Sequence, residues 1–284
     1  MTISLRRTAN FIKWRLVPIR HLGRLRYLRP HHLTKAENPQ TDLGKIIDAK
    51  GYHTGPIRSG EKLKALQNLF MNRAPKSAPD GHPIPFVNLL KAEDLTADNA
   101  LMKLVFSPEI LDVVFDYYGG RARLHNLQVL HSFANDGQLK ESQKWHLDYA
   151  DSKSLHCVMY LNDVLTDDEG PFVFIDKEAS KVVGRGLTVR RIADAQMEKE
   201  MQGAEVHTVY GKAGTSVWID PAACYHYGSR CINPRTAVFL TFNSDAPFVA
   251  KESLMAQNAQ TIVEIGKELR PDLPAETFDR LLGL

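Results

Sequence analysis

Apolar residues recur at helical spacing in the first part of the chain. In the segment 61–71, Leu66 and Phe70 lie four positions apart and share one face, which predicts a helix. A second helix is predicted to begin at Ser107, because serine is a favoured N-cap residue and a proline follows it in the first turn. A shorter helical pattern precedes both, so we expect helices to dominate residues 41–119.

The pattern changes near residue 120, where short apolar stretches are separated by Gly, Asn, Asp or Pro. Such stretches predict β-strands, and helical spacing returns only at 194–202 and in a tail over 250–284. Many short strands are typical of a sandwich, jelly roll or barrel, so we expect a mainly β protein with flanking helices and a β core over about 120–245. The predicted strands are residues 122–133, 143–149, 154–162, 171–175, 205–209, 215–219 and 236–243.

The length and composition are those of one globular domain. With 284 residues and 43% apolar content, the chain can form one large core, so we expect a single domain over residues 31–284. No stretch approaches the roughly 18 apolar residues that a membrane-spanning helix needs, which excludes a transmembrane segment. The three cysteines, Cys157, Cys224 and Cys231, fit no zinc-binding spacing and favour free thiols in a reducing compartment such as the cytoplasm.

Charge is distributed unevenly along the chain. Residues 1–30 carry eight basic side chains and no acidic one, so removing them from the net charge of +3 leaves −5 for the rest. A mildly acidic body offers no basic face of the kind that nucleic acid requires. The segment 1–30 has three interpretations: an arm or helix packed on the domain, a contact with an anionic membrane surface or acidic partner, or an arginine-rich transit peptide.

The sequence Trp-His-Leu-Asp at residues 145–148 contains the first candidate metal ligands. Successive side chains of a strand point to opposite faces, so His146 and Asp148 share one face of the predicted strand. A third candidate ligand, His226, follows a later strand and a turn. Two histidines and a carboxylate on one side of a metal form a facial triad with open coordination positions, which is characteristic of non-haem iron(II) oxygenases. The sequence therefore predicts an iron(II) site.

An arginine opens the apolar strand that follows the third ligand. Arg235 lies nine residues after His226, at the start of Thr-Ala-Val-Phe-Leu-Thr-Phe. A 2-oxo acid can occupy two of the open metal positions and dioxygen the third, and the far carboxylate of 2-oxoglutarate then needs a planar, two-pronged cation. Arg235 suits that role, because a lone buried guanidinium would otherwise be costly. The alternative is that Arg235 faces solvent at the edge of its strand.

These residues resemble the phytanoyl-CoA dioxygenase-like family of iron(II)/2-oxoglutarate-dependent dioxygenases. The similarity covers about residues 120–245 and rests on His146-x-Asp148, then His226, then Arg235 on the next strand. The resemblance implies a double-stranded β-helix core, a jelly roll of the cupin-like type. It also implies that the protein uses iron(II), 2-oxoglutarate and O2 and releases succinate and CO2. The flanking segments that carry it are Gln-Lys-Trp-His-Leu-Asp from 143, Tyr-Leu-Asn-Asp-Val from 160 and Glu-Gly-Pro-Phe-Val-Phe from 169.

Two features refine this implication. Members of the family often follow the Gly-Pro segment with Pro-Gly-Ser-His, where this chain has Asp-Lys-Glu-Ala-Ser-Lys at residues 176–181. Substrate contacts of that region therefore do not carry over. The presence of Asp148 argues against halogenation, because that reaction needs the carboxylate position vacated for a halide.

Other polar residues have both functional and structural interpretations. Asn126 and Gln128 share a face of the strand before the triad, and the resemblance favours Gln128 as an amide that contacts 2-oxoglutarate. Ser229 could bond the same cosubstrate or only form the turn after His226. His131 and His156 lie on predicted strands without a carboxylate two positions away, so we expect them to be core histidines with satisfied hydrogen bonds.

The segment 177–205 separates two predicted core strands and contains several lysines and arginines together with Gly184 and Gly186. It could close over the site and meet an anionic substrate, or it could be a solvated loop and helix. The expected function is hydroxylation of a C–H bond in a small or carrier-linked organic molecule. The alternatives are a desaturase or cyclase with the same site, a zinc hydrolase, and a cupin-like metal-binding protein without turnover.

Overall fold

The computed structural model describes residues 39–58, 60–78, 85–134, 137–151, 153–183, 191–245, 247 and 249–284. The basic segment 1–30 lies outside these ranges, and so do residues 184–190 of the 177–205 segment. The helices are α1 (Asp42–Lys50), α2 (Gly60–Phe70), α3 (Ala100–Val105), α4 (Pro108–Tyr118), α5 (Lys177–Val182), α6 (Asp194–Met201), α7 (Ser253–Gln257), α8 (Ala259–Leu269) and α9 (Ala275–Leu282).

Local sequence signals set the ends of two of these helices. At the N-terminus of α1, the hydroxyl of Thr41 accepts a hydrogen bond of 3.0 Å from the amide of Gly44. The helix ends at Gly51, whose φ of 86° lies in the left-handed region that glycine tolerates. Ser107 occupies the N-cap position of α4, as predicted, although its hydroxyl donates to the carbonyl of Leu104 instead of capping the helix.

The strands are β1 (Tyr52–Pro56), β2 (Phe86–Asn88), β3 (Ala122–Ser132), β4 (Ser154–Tyr160), β5 (Phe172–Phe174), β6 (His207–Val209), β7 (Thr215–Ile219), β8 (His226–Tyr227) and β9 (Arg235–Ser244). They form two antiparallel sheets. The larger sheet has the strand order β1-β7-β4-β9-β3-β2, and the smaller sheet has the order β6-β5-β8. The two long strands, β3 and β9, lie side by side in the larger sheet, with a β-bulge at His125.

The larger sheet separates two apolar clusters. On its outer face, residues such as Leu127, Leu240 and Phe242 pack against the helices. On its inner face, Val158 and Ala237 belong to a cluster that also includes residues of the smaller sheet. The two sheets therefore face each other, and polar side chains on the inner face lie in the space between them. This arrangement confirms the predicted mainly β fold with flanking helices, and within the described residues the sheets do not close into a barrel.

The structure differs from the predicted elements in two places. The predicted strand 143–149 is not a regular strand, because its backbone bonds go to two separate neighbours: Trp145 bridges Ile192, and His146 bridges His226. The region 41–119 also contains β1 and β2, which extend the two edges of the larger sheet and were not predicted.

The three cysteines are buried and free, as their spacing predicted. Among the helices of the described ranges, none is both long and apolar enough to cross a membrane.

Candidate metal centre

The two candidate histidine ligands are direct partners in the fold. The amide of His146 donates to the carbonyl of His226, the amide of His226 donates to the carbonyl of His146, and both bonds measure 3.0 Å. The backbone of Asp148 is held in place by a hydrogen bond of 2.8 Å that its amide donates to the carbonyl of Pro221. The backbone therefore brings together residues that are 78 to 80 positions apart in the sequence.

Each imidazole is oriented by a main-chain carbonyl two residues before it. Nδ1 of His146 lies 2.8 Å from the carbonyl oxygen of Lys144, and Nδ1 of His226 lies 2.9 Å from that of Cys224. A carbonyl only accepts, so each Nδ1 carries the proton and each Nε2 keeps a lone pair for a metal. The ring centroids lie 4.2 Å apart, and the ring of Phe172 stacks on His226 at 5.4 Å.

The ligand atoms of His146, Asp148 and His226 all lie within 4.8 Å of one another. Nε2 of His146 is 3.6 Å from Oδ1 of Asp148. Small side-chain rotations are enough for atoms at these separations to reach one ion, since metal–nitrogen and metal–oxygen bonds measure about 2.0–2.2 Å. Both histidines are 4% exposed, whereas the Asp148 side chain keeps 30% exposure. The residues present therefore fit a divalent metal with open positions on the exposed side.

The electrostatics of the site favour the protonation states that bind metal. Burial, together with the neighbouring His226, lowers the pKa of His146 to about 3, although Asp148 acts in the opposite direction. Burial also lowers the pKa of His226. For Asp148, burial acts to raise the pKa, but the surrounding histidines and Arg191 outweigh it and the pKa is lowered. At neutral pH the site thus presents two neutral imidazoles and a carboxylate.

Arg235 is buried inside the fold, which excludes the alternative that it faces solvent. Its side chain is 1% exposed, and it donates to the carbonyl of Gly170 and, at 2.8 Å, to the hydroxyl of Ser229. The ring of Tyr160 lies 5.5 Å from the guanidinium carbon. None of the ion pairs in the described ranges involves Arg235, and its buried Nε has no hydrogen-bond partner. A buried guanidinium without a counter-ion is costly, so this environment suits a bound carboxylate.

Ser229 forms the turn after His226 and also contacts Arg235. Its φ of 61° is in the left-handed region, where a residue other than glycine is strained. The Ser229 hydroxyl accepts from Arg235 and also, at 2.9 Å, from the hydroxyl of Ser132. The turn thereby places a small polar group beside the buried cation. The functional and the turn-forming interpretations of Ser229 are both compatible with this position.

The two amides of β3 lie on the inner face of the larger sheet. Gln128 is opposite Phe239, and Asn126 is opposite Thr241. Gln128 is partly exposed, whereas the side-chain oxygen of Asn126 is buried without a hydrogen-bond partner. The structure places both amides in the space between the sheets, as the strand periodicity predicted. Neither of them belongs to the three-residue cluster that could hold a metal.

His131 and His156, the two strand histidines predicted to be core residues, have different environments. His131 is buried, as predicted, but only one of its ring nitrogens has a partner: Nδ1 lies 2.9 Å from the hydroxyl of Thr236, whereas the buried Nε2 has no hydrogen-bond partner. His156 lies outside the cluster that could hold a metal, as predicted, but its Nε2 lies 3.5 Å from Oδ2 of Asp148, a contact that was not predicted. Spacing along the sequence could not reveal this contact, because the carboxylate comes from a separate segment. The alternation with Val158 and Tyr160 was the available signal that His156 points to the inner face.

Arg191 of the 177–205 segment is a further residue near the triad. The next residue, Ile192, donates its amide to the carbonyl of Trp145 at 2.8 Å, which fixes this part of the segment beside His146. The Arg191 guanidinium lies close enough to act on the pKa values of all three candidate ligands. It also lies 3.5 Å from the exposed carboxylate of Glu141. Gly184, Gly186, Arg185 and Arg190 lie outside the described residues.

Comparisons with known proteins give structural matches only. No family model and no curated protein matches the sequence. Among solved structures, the non-heme alpha-ketoglutarate-dependent epimerase SnoN from nogalamycin biosynthesis is 16% identical, with a TM-score of 0.54 over 72% of this chain and 82% of that chain. EctD from S. alaskensis with bound Fe is 18% identical, with a TM-score of 0.54 over 78% of this chain and 85% of that chain.

The carbocyclase SnoK from the same biosynthesis, also non-heme and alpha-ketoglutarate dependent, is 16% identical with a TM-score of 0.50 over 74% of this chain and 85% of that chain. Alpha-ketoglutarate is another name for 2-oxoglutarate, so these matches agree with the resemblance seen in the sequence. At identities this low, the structural matches establish the fold only, and the reaction has to be inferred from the residues of the site. The chain therefore has the double-stranded β-helix fold of the 2-oxoglutarate-dependent non-haem oxygenases.

Proposed function

We propose that the protein is an iron(II)- and 2-oxoglutarate-dependent dioxygenase that hydroxylates a C–H bond of a small or carrier-linked organic substrate. One combined observation supports this proposal. The ligand atoms of His146, Asp148 and His226 lie within 4.8 Å of one another, and the buried Arg235 has no ion-pair partner in the described ranges. A metal triad alone fits several enzymes, but a triad with a buried cation in the same fold fits a bidentate cosubstrate with a second carboxylate.

The residues have distinct tasks in this proposal. His146, Asp148 and His226 would hold iron(II), and Arg235 with Ser229 would bind the distal carboxylate of 2-oxoglutarate. With metal and cosubstrate bound, the site supplies the oxidising chemistry of O2: one oxygen atom enters the substrate as a hydroxyl, and 2-oxoglutarate becomes succinate and CO2. Gln128 faces the space between the sheets and would contact the cosubstrate through its amide.

Apolar side chains line the inner space beside the candidate ligands. The ring of Phe172 stacks on His226 at 5.4 Å, and Val158 and Phe239 lie next to each other on the inner face of β4 and β9. An apolar surrounding of this kind lowers the local dielectric, which strengthens the electrostatic interactions of Arg235. The partly exposed Asp148 marks the side from which a substrate can approach.

Three alternative functions differ from this proposal in specific features. Desaturation or ring closure would use the same ligands and cosubstrate, and the structural neighbours include an epimerase and a carbocyclase by name. A zinc hydrolase would use the triad but would leave the buried Arg235 without a role. A metal-binding protein without turnover would bind 2-oxoglutarate but form no succinate.

The test begins with cosubstrate binding under anaerobic conditions. Adding 2-oxoglutarate to the iron(II)-loaded protein is expected to produce a visible charge-transfer absorption, since the cosubstrate chelates the metal. Air is then admitted, and succinate is measured with and without a panel of small carboxylic acids, amines and acyl thioesters. Succinate that requires iron(II) and increases with one substrate class supports the proposal, and mass spectrometry of the product distinguishes hydroxylation from desaturation. Absence of both the absorption and succinate would contradict it.

Two further expectations belong to this proposal. Residues 1–30 would contact an anionic surface or pack on the single domain 31–284, because their charge is entirely positive. The enzyme would work in the cytoplasm, where its three free cysteines stay reduced.

A further inference from the structure

The inner face of β4 presents a histidine to the metal centre from a separate strand. In β4, His156 is opposite Thr241 of β9 and Ile219 of β7. Its sequence neighbours Leu155 and Cys157 belong to the cluster on the outer face, so the imidazole lies on the inner face. The His156 side chain is 13% exposed. It therefore lies inside the space between the sheets, at the level of the candidate ligands.

The Asp148 carboxylate lies between two histidines. Its Oδ1 is 3.6 Å from Nε2 of His146, and its Oδ2 is 3.5 Å from Nε2 of His156. The second distance is longer than a well-formed hydrogen bond, and contacts of this kind in catalytic sites often shorten once the site is occupied. The two oxygens thus have different surroundings, one toward the proposed ligands and one toward β4.

His156 is not itself placed as a ligand. The only cluster in the described ranges whose ligand atoms lie mutually within 4.8 Å consists of His146, Asp148 and His226. His156 contacts this cluster through the carboxylate alone. A donor in that position can bond the carboxylate oxygen that does not face the metal, which fixes the orientation of the ligand.

We propose that His156 is a positioning residue that holds Oδ2 of Asp148, so that the carboxylate binds the metal through Oδ1 only. This inference rests on the proposed function of the triad as an iron site. Its consequence concerns the open coordination positions: a carboxylate that swung to bind through both oxygens would occupy a position that the cosubstrate or O2 needs. His156 donates from Nε2 in its neutral form, and no proton is gained or lost.

The test uses Co(II) binding to the full-length protein without 2-oxoglutarate, measured by titration and by visible absorption, which reports coordination number and geometry. His156→Leu is expected to weaken Co(II) binding about 10–100-fold, the usual effect of losing an outer-shell partner. The same variant should change the Co(II) spectrum. His156→Gln keeps an N–H near the position of Nε2 and should restore affinity to within a few-fold of the unmodified protein and restore the spectrum, whereas the shorter His156→Asn should not.

The matched control is His131→Gln. His131 is also a buried strand histidine, but it bonds Thr236 on the opposite face of the sheet, so its replacement should leave the Co(II) spectrum unchanged. Unchanged Co(II) affinity and spectrum in both His156→Leu and His156→Asn would overturn the positioning role. If His156→Leu does not fold, the comparison of Gln with Asn decides the question.

The outcomes also separate this inference from the proposed function. Loss of Co(II) affinity in His156→Leu with rescue by Gln, in a protein that never forms succinate, would support the positioning role and contradict the dioxygenase. Succinate formation by the unmodified protein, together with normal Co(II) binding by the His156 variants, would support the dioxygenase and contradict the positioning role. A protein that binds no Co(II) at all would overturn both.

Discussion

His146 and His226 exchange both of their backbone hydrogen bonds across one antiparallel bridge, at 3.0 Å each. His146 lies outside the named strands, and His226 belongs to the two-residue strand β8, so no long series of backbone hydrogen bonds joins the two segments. The separation of the two imidazoles is therefore set by local pairing of the ligand residues themselves. A change that disrupts this pairing should weaken metal binding more than it reduces the stability of the fold.

Asp148→Ala should abolish succinate formation, because it removes one of three ligands. The side chain is 30% exposed and fills no core position, so the fold should remain intact by circular dichroism and thermal unfolding. Asp98→Ala, which replaces a fully exposed carboxylate away from the triad, is the control and should keep full turnover. Full activity of Asp148→Ala would contradict the ligand assignment.

Arg235→Ala should raise the 2-oxoglutarate concentration needed for half-maximal succinate formation. Hydrogen bonds to charged groups contribute about 1.5–3 kcal/mol, which corresponds to a rise of roughly 10–150-fold. Arg235→Lys keeps the charge but loses the two-pronged geometry and should give an intermediate value. Isothermal titration with 2-oxoglutarate and a redox-inert metal checks both. An unchanged requirement in Arg235→Ala would mean that another group binds the carboxylate.

The protein without metal should lose stability as the pH falls from 7 toward 5. Burial lowers the pKa of His146 to about 3 and that of His156 to about 4, and it also lowers the pKa of His226. The unfolded chain takes up protons near pH 6.5 while the folded histidines do not, so acid favours the unfolded state.

Two carboxylates of the described ranges, Asp220 and Glu252, have a raised pKa and oppose this trend. Burial raises the pKa of Asp220 to about 6, so this group gains a proton in the folded state over the same range. Six histidines of the described ranges have a lowered pKa and outnumber the two carboxylates, so the melting temperature should fall between pH 7 and pH 5. His156→Leu should reduce the slope, because it removes one of these histidines. A melting temperature that stays constant or rises on acidification would show that the histidines do not dominate the pH dependence of stability.

Asp220→Asn should destabilise the protein and weaken metal binding together. The Asp220 carboxylate accepts from Tyr117 at 3.0 Å, from the amide of Ser154 at 3.3 Å and from the amide of Ala222 at 3.0 Å. An amide in its place cannot accept all three bonds, so unfolding free energy should fall by about 1–3 kcal/mol.

The effect on the metal follows from the position of this turn. Asp220 precedes Pro221, whose carbonyl accepts the amide of Asp148. Urea unfolding and Co(II) titration measure the two effects, and Tyr117→Phe, which removes only one donor, should reduce stability by about 0.5–1.5 kcal/mol and leave Co(II) affinity close to normal. Normal Co(II) binding in Asp220→Asn would show that the turn does not support the ligand.

The sequence predicted those parts of the site that depend on local spacing. The spacing of two residues predicted that His146 and Asp148 lie close together, although their segment is not the regular strand that was expected, and the position of Arg235 on an apolar strand indicated its burial. The contact between His156 and Asp148 could not be predicted, because it depends on how separate segments meet between the sheets. The strands β1 and β2 were missed for a related reason: they are short, partly exposed edge strands whose pairing partners lie far away in the chain.

The hydrogen bonds from the two imidazoles end on main-chain oxygens, at Lys144 and Cys224. Every amino acid supplies such an oxygen, so the orientation of each imidazole does not depend on which side chain occupies these two positions. Neighbouring residues are thus free to diverge while the geometry persists.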